Sequence, residues 1–116
     1  MKCGPLYNGD TIVLPKVRGA VTWLQRLRGL LFSPALPADG GDALLIRPCS
    51  SIHTIGMRYE LDVVFLAEDG RVMSIHSNIR PWRGCMQFGA RDALELRGGV
   101  AEKVGLKVGD VLRWAA

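Results

Sequence analysis

The sequence is short of several things, and each shortage removes a class of protein. No apolar run reaches the ~18 residues of a membrane-spanning helix, so no membrane partner is expected. The first ten residues, Met1 to Asp10, hold no apolar stretch of the kind a secretory signal needs, and the expected compartment is the cytoplasm. Cysteine is sparse and odd in number, three in 116 residues, which does not make a disulfide framework; cytoplasmic thiols stay reduced. Lysine is scarce, so the net charge of +4 comes mostly from arginine. No dense basic run accompanies that charge, and nucleic acid is not an expected partner. There is no internal repeat, no low-complexity tract and no composition break, so residues 1–116 are expected to form a single domain.

What is present is ordinary globular composition, 48% hydrophobic and 22% charged. A chain of this size buries roughly two-thirds of its unfolded surface and needs no metal or disulfide to fold. No cofactor is expected. The organising stretch runs from Cys49 to Leu66. It starts as a polar loop holding Cys49, Ser50, Ser51, His53 and Thr54, then becomes the most apolar strand, Leu61 to Leu66, broken only by Asp62. Such a continuous apolar run marks a strand buried on both faces. Asp62 within it must be paired or hydrogen-bonded, because an unpaired buried charge is costly.

Around that stretch the chain reads as short strands. Gly4, Pro5, Asn8 and Gly9 make residues 1–10 a loose lead-in. Thr11 to Leu14 is a short strand that Pro15 ends or places at an edge, and Lys16 to Ala20 a second. Thr22 to Leu31 is the one clear helix, with Trp23, Leu24, Leu27, Leu30 and Leu31 on one face. Ala43 to Ile46 is a strand stopped by Pro48. Glu68-Asp69-Gly70 turns the central strand into a hairpin with Arg71 to His76. Ser77 to Arg91 is the longest irregular segment. Ala93 to Leu96 is a strand, Val100 to Val104 a helical turn with Gly105 as its left-handed C′ residue, and Val111 to Trp114 the last strand. The expected fold is mainly β: a small β-barrel or β-sandwich-like domain with two short helices.

The run His53-Thr-Ile-Gly-Met-Arg-Tyr-Glu-Leu-Asp62, its apolar strand to Leu66 and the turn Glu68-Asp-Gly70 resemble the core motif of the domain-of-unknown-function family 192. Arg26-Leu-Arg-Gly-Leu30, Cys85, Ala93-Leu-Glu-Leu-Arg-Gly-Gly99 and Gly105-Leu-Lys-Val-Gly-Asp110 resemble further pieces in the family's order, so the likeness spans about residues 11–114. The resemblance implies a compact β-rich fold and no assigned activity. His53 stands where many members have Phe-Trp, and Cys49 is an addition. The closing motif also resembles the helix-turn-strand of PDZ domains, but the carboxylate-binding Gly-Leu-Gly-Phe-type loop of that fold is missing.

Chemistry-bearing residues fall in two segments. Cys49, His53 and Cys85 are compatible with a zinc site, with a thiol and its base, or with two small buried thiols. The separation of 36 residues between the two cysteines (85 − 49) is no metal signature. Asp62 could orient His53 as an acid or base, or simply tie loop to strand with Arg58 or Thr54. Trp82, between Arg80 and Arg83, suits an aromatic-basic lip. The expected function is a binding module for a small ligand or a protein partner. Its polar cleft lies between the Cys49–Tyr59 and Ser77–Arg91 loops, with His53, Thr54, Met57, Arg58, Asp62, Trp82, Arg83, Cys85 and Glu95 as binding candidates. The alternatives are an enzyme or metal site using Cys49, His53 and Cys85 with Asp62, and a weak nucleic-acid binder.

Overall fold

The computed structural model describes residues 2–20 and 42–116. The helix expected over Thr22–Leu31 and the loop after it lie outside the described residues, apart from Asp42. The first strand, β1 (Lys2–Asn8), is followed by β2 (Thr11–Ala20), β3 (Asp42–Ile46), β4 (Ser51–His53), β5 (Leu61–Leu66), β6 (Val72–Ile79), β7 (Gly84–Met86) and β8 (Asp92–Arg97). A single turn of helix, α1 (Val100–Lys103), and β9 (Leu112–Trp114) complete the described chain. Seven strands form one sheet in the order β6-β5-β8-β3-β2-β1-β9, and β4 pairs with β7 in a separate ribbon. Within the large sheet β2 and β3 are parallel.

The sheet curls until its two edges meet. Arg71 bridges Val111, Leu112 N–H donates to Gly70 C=O at 2.9 Å, and Val72 N–H donates to Asp110 C=O at 2.8 Å. Gly70 permits this approach. Its φ is +89°, and a Cβ there would collide with the Leu112 carbonyl, so only glycine suits both the turn and the closure. The result is a mainly β half-barrel, as the sequence pattern predicts.

Alternation sorts side chains onto two faces. Leu94 and Leu96 join Leu6, Leu14 and Leu45 in one core, which α1 covers with Val100 and Ala101. Ala93, Leu61, Val63 and Phe65 join a second core on the other face, roofed by Ile52 of the ribbon. All six residues of β5 are buried, as the unbroken apolar run requires. Gly105 adopts φ +76° after α1, the expected C′ conformation.

Three expectations are corrected. Residues 1–10 are not a loose lead-in, because β1 pairs with both β2 and β9. Pro15 neither ends a strand nor marks an edge, since β2 runs through it and pairs with β1 and β3. The register jumps from Gly4↔Val17 to Leu6↔Leu14, and this irregularity leaves Pro15, like Pro5 opposite, outside the ladder that would require an N–H. The Ser77–Arg91 segment is not irregular throughout, since it holds the end of β6 and all of β7.

Asp62 locks the sheet to the helix. It is fully buried and accepts three backbone N–H bonds, from Asn78 at 2.8 Å, Gly99 at 3.1 Å and Ala101 at 2.9 Å. Asn78 belongs to a bulge: Leu61 pairs with Ile79 and Val63 with His76, so two residues of β6 face Asp62. Gly99 is the N-cap of α1 and offers no side-chain cap of its own. Asp62 supplies that cap from 37 residues away, satisfying donors that a helix start otherwise leaves open. Asp62→Ala removes the acceptor of three N–H groups, one of them buried and two part-buried, and is expected to cost on the order of 3 kcal/mol in urea unfolding; a loss below about 1 kcal/mol would contradict this role.

Candidate functional site

The ribbon is where the two polar loops meet. Its register pairs Ser51 with Met86, Ile52 with Cys85 and His53 with Gly84. With a period of two, Ile52 and Cys85 face the sheet, while Ser51, His53 and Met86 face outward; the exposure pattern agrees. Thr54, fully buried, fastens the two loops together. Its hydroxyl donates to Arg80 C=O at 2.7 Å and accepts from Arg83 N–H at 2.9 Å. Its backbone N–H donates to Arg83 C=O at 2.8 Å, and its C=O accepts from Trp82 N–H at 3.0 Å. At the other end Gln87 N–H donates to Ser50 C=O at 2.9 Å.

Beneath the ribbon lie Cys49, Cys85 and Glu95. Both thiols pack on the second core, and the Cys49 thiol donates to Ser51 C=O at 3.1 Å. Glu95, on β8, pairs with Val63 and Leu44 and is 5% exposed. Burial pushes its carboxyl up to about 7. Burial, reinforced by the negative charges of Glu95 and Cys49, pushes the Cys85 thiol up to about 11.

The expected constellation therefore divides. Cys49 and Cys85 come together, with Glu95 as the carboxylate beside them. Asp62 is on the opposite face, turned to α1. His53 points away from Cys85 across the ribbon. A thiol–imidazole–carboxylate arrangement is not assembled, and among the described residues no group of three His, Cys, Asp or Glu side chains is placed to hold a metal. Met57 packs on the second core; Arg58 is exposed.

The exposed residues of the ribbon and its two loops are largely apolar or basic. Trp82 is 65% exposed, Met86 66%, Phe88 89% and Ile55 48%. Residues 47–59 and 77–91 hold five arginines and no Asp or Glu. Arg47 and Arg91 turn to Asp92, leaving Arg58, Arg80 and Arg83 exposed with the apolar residues. Periodicity does not single out Ile55, Met86 or Phe88. The usable signal is the missing acid: all 11 carboxylate residues lie outside these two segments.

The buried acid sets a pH dependence. Glu95 holds its proton more tightly folded, at about 7, than at its ordinary 4.5. The folded state therefore binds more protons between those values, and stability falls as pH rises through that window. Glu95→Gln should match wild type near pH 4 and exceed it by about 3 kcal/mol above pH 7.5; a pH-independent difference in chemical unfolding would contradict it. Cys85 should alkylate slowly at pH 7.5, with a thiolate fraction about a hundredfold below that of an ordinary thiol. Alkylation of Cys85 faster than a small free thiol would overturn the inert assignment.

Comparison with known proteins agrees with this architecture. A solved structure from Novosphingobium aromaticivorans, described as a protein of unknown function, superposes with a TM-score of 0.78 at 24% identity, covering 97% of this chain and 85% of that one. A second, from Sinorhizobium meliloti and described as a candidate transcription regulator, gives a TM-score of 0.75 at 24% identity, covering 85% and 81%. At that identity the likeness concerns the fold. A UPF0127 protein of Pyrococcus furiosus is 31% identical over 101 residues, 85% of this chain and 86% of its own. The family model for DUF192, an uncharacterized ACR, matches residues 7–114, and the chain belongs to that family.

Proposed function

We propose that the domain is a binding module whose working face is the outer side of the β4–β7 ribbon, and that its partner is a protein segment rich in acidic and apolar residues. One observation carries the reading: two loops, joined through Thr54, both expose apolar and basic side chains, Trp82, Met86, Phe88 and Ile55 with Arg58, Arg80 and Arg83, and neither loop holds a carboxylate. Enrichment in aromatics, Met and Arg, with depletion of Lys, Asp and Glu, is the composition of protein interface cores. The absence of acid from both loops favours an acidic partner, because unlike potentials steer encounter and like charges reject wrong partners.

Preorganisation supports the same reading. Trp82 sits at φ +64°, a left-handed conformation that costs a non-glycine residue about 1–2 kcal/mol. The bond from Trp82 N–H to Thr54 C=O helps hold it there. Strain of this kind is retained where surrounding structure imposes it, commonly at binding surfaces. Of the residues singled out from sequence, His53, Arg58, Trp82 and Arg83 belong to the contact face; Thr54 and Asp62 hold it; Met57, Cys85 and Glu95 lie under it. We take the compartment to be the cytoplasm, in keeping with three cysteines that are all thiols.

The test uses a glutamate–tyrosine copolymer as an acidic-aromatic probe and a single-stranded DNA 20-mer as its rival, both followed by fluorescence anisotropy. The copolymer should bind, should weaken as salt screens the arginines, and should lose at least about tenfold in affinity to Trp82→Ser/Phe88→Ser, while the unfolding midpoint stays unchanged. DNA binding tighter than copolymer binding, or a double variant that binds like wild type, would displace the reading.

A further inference from the structure

A cavity of about 190 Å³ opens at the end of the barrel where the two sheet edges meet. Its floor is hydrocarbon: Leu6, Leu45, Leu66 and Leu112, each 5% exposed or less. One wall is charged. Asp92 is 1% exposed and accepts four N–H bonds from two guanidinium groups: from Arg47 at 2.8 and 2.9 Å, and from Arg91 at 3.2 and 3.1 Å. Two positive charges against one carboxylate leave this wall with a surplus of one. Each guanidinium has five N–H groups and gives two of them to Asp92. Both side chains remain 35% exposed, so they can donate to a further acceptor in the cavity.

The lip also carries Glu68 and Asp69 from the β5–β6 turn. The Asp69 carboxylate accepts Arg71 N–H at 3.0 Å and so is tied to its own turn. Arg113, beside the cavity, is stacked over the Tyr7 ring at 4.5 Å. An apolar floor with a few convergent polar groups at a barrel mouth is the usual anatomy of a small-molecule site. By volume the space matches roughly six waters, too small for a nucleotide and suited to a ligand of a few carbon atoms.

We propose that this cavity binds a small monocarboxylate with a short apolar tail, its carboxylate on the Arg47–Arg91 wall and its tail on the leucine floor. A planar carboxylate matches the guanidinium fork. A dianion such as phosphate has nothing to gain from the leucines and is repelled by Glu68 and Asp69. An amino acid with an apolar side chain fulfils the same chemistry, with its ammonium group toward that acidic lip. The site rests on different residues from those of the ribbon face, so it stands or falls separately.

The experiment is an amide-shift titration of the isotope-labelled protein with isovalerate, leucine, acetate and inorganic phosphate. Isovalerate, leucine or both should shift the amides of Gly70, Asp92 and Arg113 saturably, with acetate and phosphate at least about tenfold weaker because they lack the tail. Leucine binding more tightly than isovalerate would add the acidic lip to the site. Arg91→Gln should weaken binding at least about tenfold. Should that variant fail to fold, Arg91→Lys, which keeps the charge without the planar fork, gives the second reading, a several-fold loss. Absence of saturable shifts with isovalerate and leucine, equal shifts with phosphate, or undiminished binding in both variants would overturn the proposal.

Discussion

The carboxylate of Asp62 is the point at which three distant stretches of chain meet. Burial removes its hydration, which is tolerable only because Asn78, Gly99 and Ala101 each donate a backbone N–H to it. Those three donors fix the bulge of β6 and the start of α1 relative to β5. With α1 held, Val100 and Ala101 close the barrel interior. With the bulge held, the chain leaves β6 through the left-handed residue Asn78, φ +53°, toward Arg80 and Trp82. The apolar core supplies most of the stability, but this polar contact sets how its pieces are oriented.

The sheet then separates two kinds of electrostatics. On one side Asp92 is buried beside two guanidinium groups that answer its charge and leave one positive charge over. On the other, Glu95 lies beneath the ribbon, where burial raises it to about 7. The Cys85 thiol beside it is held protonated by the same burial and by its charge. A reactive cysteine needs the reverse, an electropositive and partly exposed surrounding. Outside the ribbon the residues are basic and apolar. One short ribbon thus divides an acidic, desolvated underside from a basic, exposed top.

Much of this was legible in the residues. The Leu61–Leu66 run shows a strand buried on both faces, and Glu68-Asp69-Gly70 shows the hairpin turn. The requirement that Asp62 be satisfied is equally plain, but its partners are not: they lie up to 39 residues away, and a backbone N–H carries no sequence signature. β1 was hidden because Gly4, Pro5, Asn8 and Gly9 read as breakers, although a register irregularity accommodates Pro5 within the strand. The ribbon strands have three residues each, too few for any periodicity to register. For the same reason nothing local separates His53, outward, from Cys85, inward; that follows only from pairing. The cavity joins the end of β3, the β5–β6 turn and β9, and only the curl of the sheet brings these together.

The ribbon face can act as a recognition surface only if its loops are rigid before a partner arrives, since ordering them on binding would consume affinity. Native-state hydrogen exchange reads this directly, through the amides of Thr54, Trp82 and Arg83, which bond across the two loops. Preorganisation predicts that these amides are protected and that all three open together, as one cooperative unit. Exchange at the rate of an unstructured chain, with the β5 amides still protected, would show that the loops are loose tips on a stable barrel, and would contradict the account.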